Sequence, residues 1–266
     1  MSILKEYLKT KTDLGIEAST INLDNIEEVG EIVQLRDELV VSNNFGYMKI
    51  STDEYTDMFI EHAAKSNTPV LEIGTAYGYV VQKVLKAGGK IIACDIGERN
   101  LEILLKQTPK EYLANLHVYP AAFPNEVDFP KESFSAILSS RMFHFLDGKT
   151  IEVGLDKLHK WLKPNGKFYF TAISVEHATF KDGFSPTYKA NLAKGTKWCG
   201  EIQNQHIYAP QHSAYVPEFV HAFDIEGLSK ILPQHGFRVD KIGLFNYPND
   251  TTAGDQGHIG FVATRI

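Results

Sequence analysis

The strongest constraint on this chain is an alternation that begins at Pro69. Short apolar runs alternate with segments of helical period, and glycine or proline marks the joints. Val70–Ile73, Lys90–Asp95, Leu116–Tyr119, Ser133–Ser139 and Lys167–Ile173 read as strands. Tyr79–Ala87, a helix within Asn100–Lys106, Lys110–Leu113 and Ile151–Leu162 read as helical pieces. Strands separated by helices pair through right-handed crossovers, so the pattern predicts a parallel sheet with helices on both faces. Its sharpest joint is Val70–Val80, V-L-E-I-G-T-A-Y-G-Y-V. Gly74 ends a strand and Gly78 opens a helix. Glycine there permits backbone angles closed to other residues and lets a ligand approach the main chain. In an open α/β sheet such a turn lies at the carboxyl ends of the strands, where ligands bind.

The flanks are less regular. Ile26, Val29, Ile32, Val33 and Leu39 recur at helical spacing within Ile26–Leu39, which predicts an amphipathic helix. Ser51 with Glu54 three residues later has the form of a capping box and predicts a helix carrying Tyr55, Met58, Phe59, His62 and Ala63 on one face. Residues 1–65 are therefore expected to form an N-terminal helical cap, and residues 66–266 the main domain. Ser174 to about Phe223 loses the period and is rich in aromatics and histidines. A segment that long inside a domain is expected to be a lid or binding segment, and its aromatics argue against disorder. Helix Asp224–Leu232, a turn at His235-Gly236, and strands Arg238–Phe245 and His258–Thr264 follow. The polar connection Asn246–Gly257 predicts an antiparallel last pair.

Composition narrows the class. A net charge of −6 over 266 residues disfavours a protein whose main partner is nucleic acid. No apolar run approaches the roughly 18–20 residues that span a bilayer, and Met1-Ser2-Ile3-Leu4-Lys5 has no signal pattern. The two cysteines, Cys94 and Cys199, make no disulfide framework. A cytoplasmic protein with no membrane partner is expected.

The spacing Gly74, Ala76, Gly78 departs from the dinucleotide fingerprint G-x-G-x-x-G, and no G-K-[ST] follows to make a phosphate loop. Asp95 ends the second strand about 20 residues after the turn, where a carboxylate can accept from the hydroxyls of an adenosine ribose. With these two signals in place, residues from about 68 to 173 resemble the class I S-adenosylmethionine-dependent methyltransferases. The matching stretches are Val70–Gly78, Asp95, Phe134–Leu138 ahead of Ser139–Leu146, and Leu158–Lys167, whose Pro164-Asn165-Gly166 stands for the family's glycine turn. Leu228–Phe237 and the two strands after it match the family's C-terminal elements.

The resemblance implies a Rossmann-like α/β fold. It would have seven mostly parallel strands in the order 3-2-1-4-5-7-6, the last antiparallel, with an insertion after strand 5 at about 174–223. It implies S-adenosylmethionine as donor and S-adenosylhomocysteine as product. The backbone of Gly74, Thr75, Ala76, Tyr77 and Gly78 would face the methionine part, with Glu72 organising the loop. Asp95 would bind the ribose and Ile96 would pack on adenine. Ala121 stands where the family often has an acid, which leaves a backbone contact at Ala122 and cover from Phe123. Ser139 and Arg141 would line the pocket.

Methyl transfer from a sulfonium needs in-line placement, and a base only if the acceptor loses a proton. His144 is the best-placed base, with His177, His206 and His212 as further candidates. The region after the fourth strand has neither the [ND]-P-P-[YF] tetrapeptide of base and amide methylation nor the strand-end acid of metal-dependent catechol-type enzymes. A metal-independent transfer to a small-molecule acceptor is expected. The alternatives are an RNA or protein methyltransferase and a non-catalytic donor-binding module.

Overall fold

In a computed structural model, which describes residues 3–247, 250 and 252–266, thirteen strands and eight helices are arranged around one large sheet. The N-terminal region contains α1 (Leu4–Tyr7), β1 (Ile16–Glu17), β2 (Gln34–Leu35), β3 (Glu38–Val40), β4 (Tyr47–Lys49) and α2 (Glu54–Lys65). The alternating region contains β5 (Val70–Ile73), α3 (Tyr79–Lys86), β6 (Ile91–Asp95), α4 (Glu98–Gln107), β7 (Leu116–Pro120), β8 (Phe134–Ser140), α5 (Gly148–Trp161) and β9 (Leu162–Ile173). The insertion contributes α6 (Ala178–Lys181), α7 (Ser185–Ala193), β10 (Glu201–Ile202) and β11 (Val220–His221). The chain closes with α8 (Ile225–Gln234), β12 (Phe237–Phe245) and β13 (His258–Arg265).

The large sheet has eight strands, ordered β1-β7-β6-β5-β8-β9-β13-β12. The expected seven become eight because β1 adds an antiparallel edge strand beside β7. Neighbours from β7 to β9 run parallel, and β13 runs antiparallel to both β9 and β12. β5 and β6 are buried at every residue, which explains their unbroken apolar runs: both faces are covered. One face packs Phe134, Leu158, Trp161, Phe168 and Phe237; the other packs Phe59, Val81, Leu101 and Leu138. Asn165 takes φ 62, the left-handed conformation that asparagine tolerates, inside a register shift between β8 and β9.

Two expectations are corrected. Ile26–Leu39 is not a helix. Ile26 is buried but Val33 is 48% exposed, so the apolar residues do not share a face. Arg36 turns the chain at φ 57, and β2, β3 and β4 form a small antiparallel sheet. The start of α2 is capped by Asp53, whose carboxylate accepts from Tyr55 N and Thr56 N while the Thr56 hydroxyl accepts from Asp53 N. Ser51 and Glu54 take no part; the box lies two residues later. Met1 and Ser2, and Pro248, Asn249 and Thr251 of the Asn246–Gly257 connection, lie outside the described residues. Among the described residues no helix is long and apolar enough to cross a membrane.

Candidate active site

The carboxyl ends of β5, β6, β7 and β8 converge on a cavity of about 170 Å³. Of the residues read from the sequence, Glu72, Gly74, Thr75, Ala76, Asp95, Ile96, Ala121, Ala122, Phe123 and Arg141 line it. Three others do not. Tyr77 is buried and donates its hydroxyl to Val40 O at 2.9 Å. Gly78 caps α3 at φ 77, where a Cβ would lie 2.4 Å from Leu104. Ser139 points into the protein at 0% exposure; the alternation along β8 puts Ser140 on the lining instead.

Asp95 organises the turn. One carboxylate oxygen accepts from Ala76 N at 2.8 Å; the other accepts from Gly97 N at 2.7 Å and Asn100 Nδ2 at 3.0 Å. Burial nevertheless pushes its pKa up against those bonds. Asn100 in turn accepts from the Ser42 hydroxyl at 2.7 Å, which ties the N-terminal region to the turn. Glu72 lies beside Asp95. Burial, then Asp95, raises its carboxyl well above the usual range, and its Oε2 has no hydrogen-bond partner among the described residues. Gly74 is required for a reason other than ligand approach: at φ 78 a Cβ there would sit 2.6 Å from Met142. Ala122 N is already occupied by Glu126 Oε2 at 2.9 Å, and Phe123 stacks on Phe143 at 5.5 Å between ring centroids.

A second cavity, about 610 Å³, opens beside the first under the insertion and the small N-terminal sheet. The two share Tyr47, Lys49, Arg141 and Phe145 as lining residues, so they adjoin there. Arg141 sits at φ 57 at the end of β8 and donates to Glu38 Oε1 at 2.9 Å. Burial lowers the arginine's pKa, and Glu38 more than restores it. Burial likewise raises Glu38, but Arg141 and Lys49 leave it lowered. The Lys49 ammonium reaches Asp250 at 3.0 Å and Asp37 and Glu38 at 3.3 Å. His258, then Thr252 and Lys49, hold Asp250 well below the usual carboxylate range.

His144, His177, His212 and His258 line this second cavity. His144 is 6% exposed, has no hydrogen-bond partner among the described residues, and is held well below 6.5 by burial and then Arg141. Burial brings His177 down to about 3. His212 Nδ1 lies 2.9 Å from the Tyr47 hydroxyl, and His206 does not reach the cavity but staples its loop to Val216 O. Tyr47, Lys49, Glu38, Asp250 and His258 carried no local sequence signal. They come from strands of two or three residues and from a polar connection, and only the fold brings them together.

The smaller cavity suits an amino-acid-bearing nucleoside. Glu72 Oε2, Thr75 Oγ1 and Ser51 Oγ on its wall, without partners among the described residues, can accept from donor groups such as an ammonium. Ile96, 54% exposed, offers an apolar surface beside Asp95. Residues 70–166 match the family described as a methyltransferase domain. No curated protein matches the chain. Among solved structures, the fold resembles an S-adenosylmethionine-dependent methyltransferase from Methanosarcina mazei, at 15% identity and TM-score 0.60 over 78% of this chain and 97% of that one. It also resembles the glycopeptide N-methyltransferase MtfA complexed with S-adenosylmethionine, at 14% identity and TM-score 0.55 over 79% and 92%. A third is the 1,6-didemethyltoxoflavin-N1-methyltransferase of Burkholderia thailandensis with bound 1,6-didemethyltoxoflavin and S-adenosylhomocysteine, at 15% identity and TM-score 0.57 over 79% and 76%. Residues 70–166 thus match a methyltransferase domain, and the chain shares the fold of S-adenosylmethionine-dependent methyltransferases. At these identities the structural likeness carries the fold, and it leaves the acceptor open.

Proposed function

We propose that the protein transfers the methyl group of S-adenosylmethionine to a small-molecule acceptor, without a metal, and that His144 serves as the base. The observation that carries this reading is the shared wall. A smaller chamber at the strand ends and a larger, polar, partly aromatic chamber meet at Tyr47, Lys49, Arg141 and Phe145. Transfer requires the acceptor atom to reach the donor's methyl group between those side chains, and placement supplies most of what such a transfer requires. The toxoflavin and glycopeptide enzymes, whose names give small acceptors or a glycopeptide, have the same fold and favour this class of chemistry.

S-adenosylmethionine supplies a methyl group on a positively charged sulfur, already activated for transfer. The chain's own residues hold and orient. Glu72, Thr75 and Ser51 receive the donor's amino-acid end, and Asp95 holds the Thr75–Gly78 turn and receives the ribose. Residues 1–65 and 174–223 form the acceptor side and exclude water. The neutral imidazole of His144 accepts a proton that the acceptor sheds as the methyl bond forms. A base of lowered pKa suits an acceptor whose proton becomes acidic only as positive charge develops on its heteroatom, such as a nitrogen. Among the described residues no three side chains of histidine, cysteine, aspartate or glutamate converge as metal ligands.

Calorimetric titration with S-adenosylmethionine and S-adenosylhomocysteine tests the donor site; absence of binding by either at millimolar concentration refutes it. Incubation with the donor and a metabolite extract, followed by mass spectrometry for products one methyl heavier, identifies the acceptor. Recovery of methylated RNA or protein in place of small molecules would overturn the acceptor class.

A further inference from the structure

The chain between β3 and β4 lies across both halves of the site. It leaves β3 at Val40 and re-enters the small sheet at Tyr47, and Val41, Asn43, Phe45 and Tyr47 line the smaller cavity. Hydrogen bonds tie it down at each end. Toward the donor turn, Tyr77 donates its hydroxyl to Val40 O at 2.9 Å, and the Ser42 hydroxyl donates to Asn100 Oδ1 at 2.7 Å. Asn100 in turn donates to Asp95. Toward the insertion, Gly46 N donates to Tyr215 O at 2.7 Å, and the Tyr47 hydroxyl lies 2.9 Å from His212 Nδ1. Residues 40–47 therefore bridge the turn that Asp95 holds and the segment whose His212 lines the larger cavity.

Between those ends little holds it. Ser42, Asn44 and Phe45 are exposed. Phe45 meets the body of the protein edge-on at Phe145, 5.5 Å between ring centroids. A segment with exposed backbone and few buried apolar contacts opens locally at far less cost than global unfolding. This one also has to open. Pockets that enclose a drug-sized ligand run to about 300–1,000 Å³, whereas the smaller cavity holds about 170 Å³. Its opposite wall is the carboxyl ends of β5, β6 and β8, and ladder hydrogen bonds fix those strands to their neighbours. Residues 41–47 are the wall that can move.

We propose that residues 40–47 are a strap that opens to admit the donor and closes over it, and that Tyr47 and His212 form its clasp to the insertion. The proposal rests on the donor reading for what passes under the strap; the strap itself is read from the chain's own contacts. Burial, then Glu38, raises the Tyr47 phenol to about 12, and burial lowers the His212 ring, so both are neutral at neutral pH. The clasp is then a neutral hydrogen bond, which shifts an opening equilibrium about fivefold. Opening breaks the bonds to Tyr215 and His212, so the insertion loses its hold on the N-terminal sheet each time the donor is exchanged. An acceptor seated between the two keeps the clasp shut. The donor therefore enters first, and S-adenosylhomocysteine leaves after the methylated product.

The test measures association and dissociation rates of S-adenosylhomocysteine on the full chain by surface plasmon resonance. Tyr47→Phe and His212→Ala each remove the clasp bond and should speed both rates about fivefold. Kd should stay unchanged, because the bond is present with and without the ligand. The double variant should match the single ones, since all remove the same bond. Unchanged rates in variants that keep their melting temperature, or a weaker Kd carried by dissociation alone, overturn the strap. A second arm needs no ligand. Amide exchange at Gly46, whose N–H reports the insertion end, is followed in the free protein by nuclear magnetic resonance. Ser42→Ala, at the donor end, should quicken it about as much as His212→Ala does, because the strap opens as one unit. Quickening in His212→Ala alone would mean two independent contacts and would overturn the strap. If S-adenosylhomocysteine does not bind at all, the donor reading falls, and exchange at Gly46 alone decides the strap.

Discussion

Asp95 has two roles that a single substitution can separate. Its carboxylate is expected to receive the donor's ribose, yet within the chain it already accepts from Ala76 N, Gly97 N and Asn100 Nδ2 at 2.7–3.0 Å. Asp95→Ala leaves three buried donors without acceptors. At about 1–2 kcal/mol each the loss is roughly 3–6 kcal/mol. Burial raises the carboxyl's pKa, so removing it returns part of that, and the net cost is about 2–4 kcal/mol. For a chain of this size that lowers the melting temperature by about 5–15 °C. Asp95→Asn keeps one acceptor oxygen but can serve the Ala76 side or the Gly97 side, not both, and should fall between alanine and wild type. Differential scanning fluorimetry gives the first measurement. Calorimetry with S-adenosylhomocysteine well below the melting point gives the second, where alanine should weaken binding by about 1–3 kcal/mol. Asn100→Ala is the control: it removes one of the three internal donors and the Ser42 contact, and should lower stability while largely sparing donor affinity. Alanine at 95 with a melting temperature within about 2 °C of wild type would refute the view that this carboxylate holds the two loops together. Unchanged donor affinity would refute its ribose role.

Three further outcomes are expected. Glu72 carries a carboxyl raised well above the usual range, so its contribution to stability is full below pH 4.5 and is lost as pH rises through the raised value; Glu72→Gln should raise the melting temperature at pH 8 and weaken S-adenosylmethionine binding, and a lower melting temperature there would contradict the burial argument. His144→Gln should cut kcat by about 10²–10⁴ with donor affinity kept. Because burial holds this histidine well below 6.5, wild-type kcat/KM should stay level above pH 6.5 and fall only at lower pH, along with the stability the neutral ring contributes; an acid limb centred at or above 6.5 would refute it. Gly78→Ala must take φ 77 and press a methyl to 2.4 Å from Leu104, and should cost about 2–4 kcal/mol by chemical denaturation; a neutral effect would mean the turn adapts.

The alternating region was legible because its code is local. Val70–Ile73 and Ile91–Asp95 are buried on both faces, so every residue reports the strand, and glycines mark the joints. The N-terminal region was not, because β2, β3 and β4 are two or three residues long. Strands that short bury too little to leave a period-two pattern, and what fixes them lies far away. Glu38 is held by Arg141, Lys49 by Asp250, and Gly46 N by Tyr215 O at 2.7 Å. A helical period in Ile26–Leu39 therefore misled: those apolar residues answer to separate neighbours.

The same distinction divides the site. On the donor side the candidate groups follow one another at the ends of consecutive strands, so spacing pointed to Asp95 and the family resemblance to Glu72 and Arg141. Even there, sequence gives the position and not the side a residue faces. Ser139 and Ser140 are indistinguishable until the register of β8 against β9 is known, and pairing of Ser140 with Thr171 decides it. On the acceptor side nothing is consecutive. Lys49 and Asp250 are separated by 201 positions and meet at 3.0 Å, and Tyr47 meets His212 across 165 at 2.9 Å. Each contact joins the N-terminal sheet to a segment after β9, and the charge balance of the larger cavity exists only in that union.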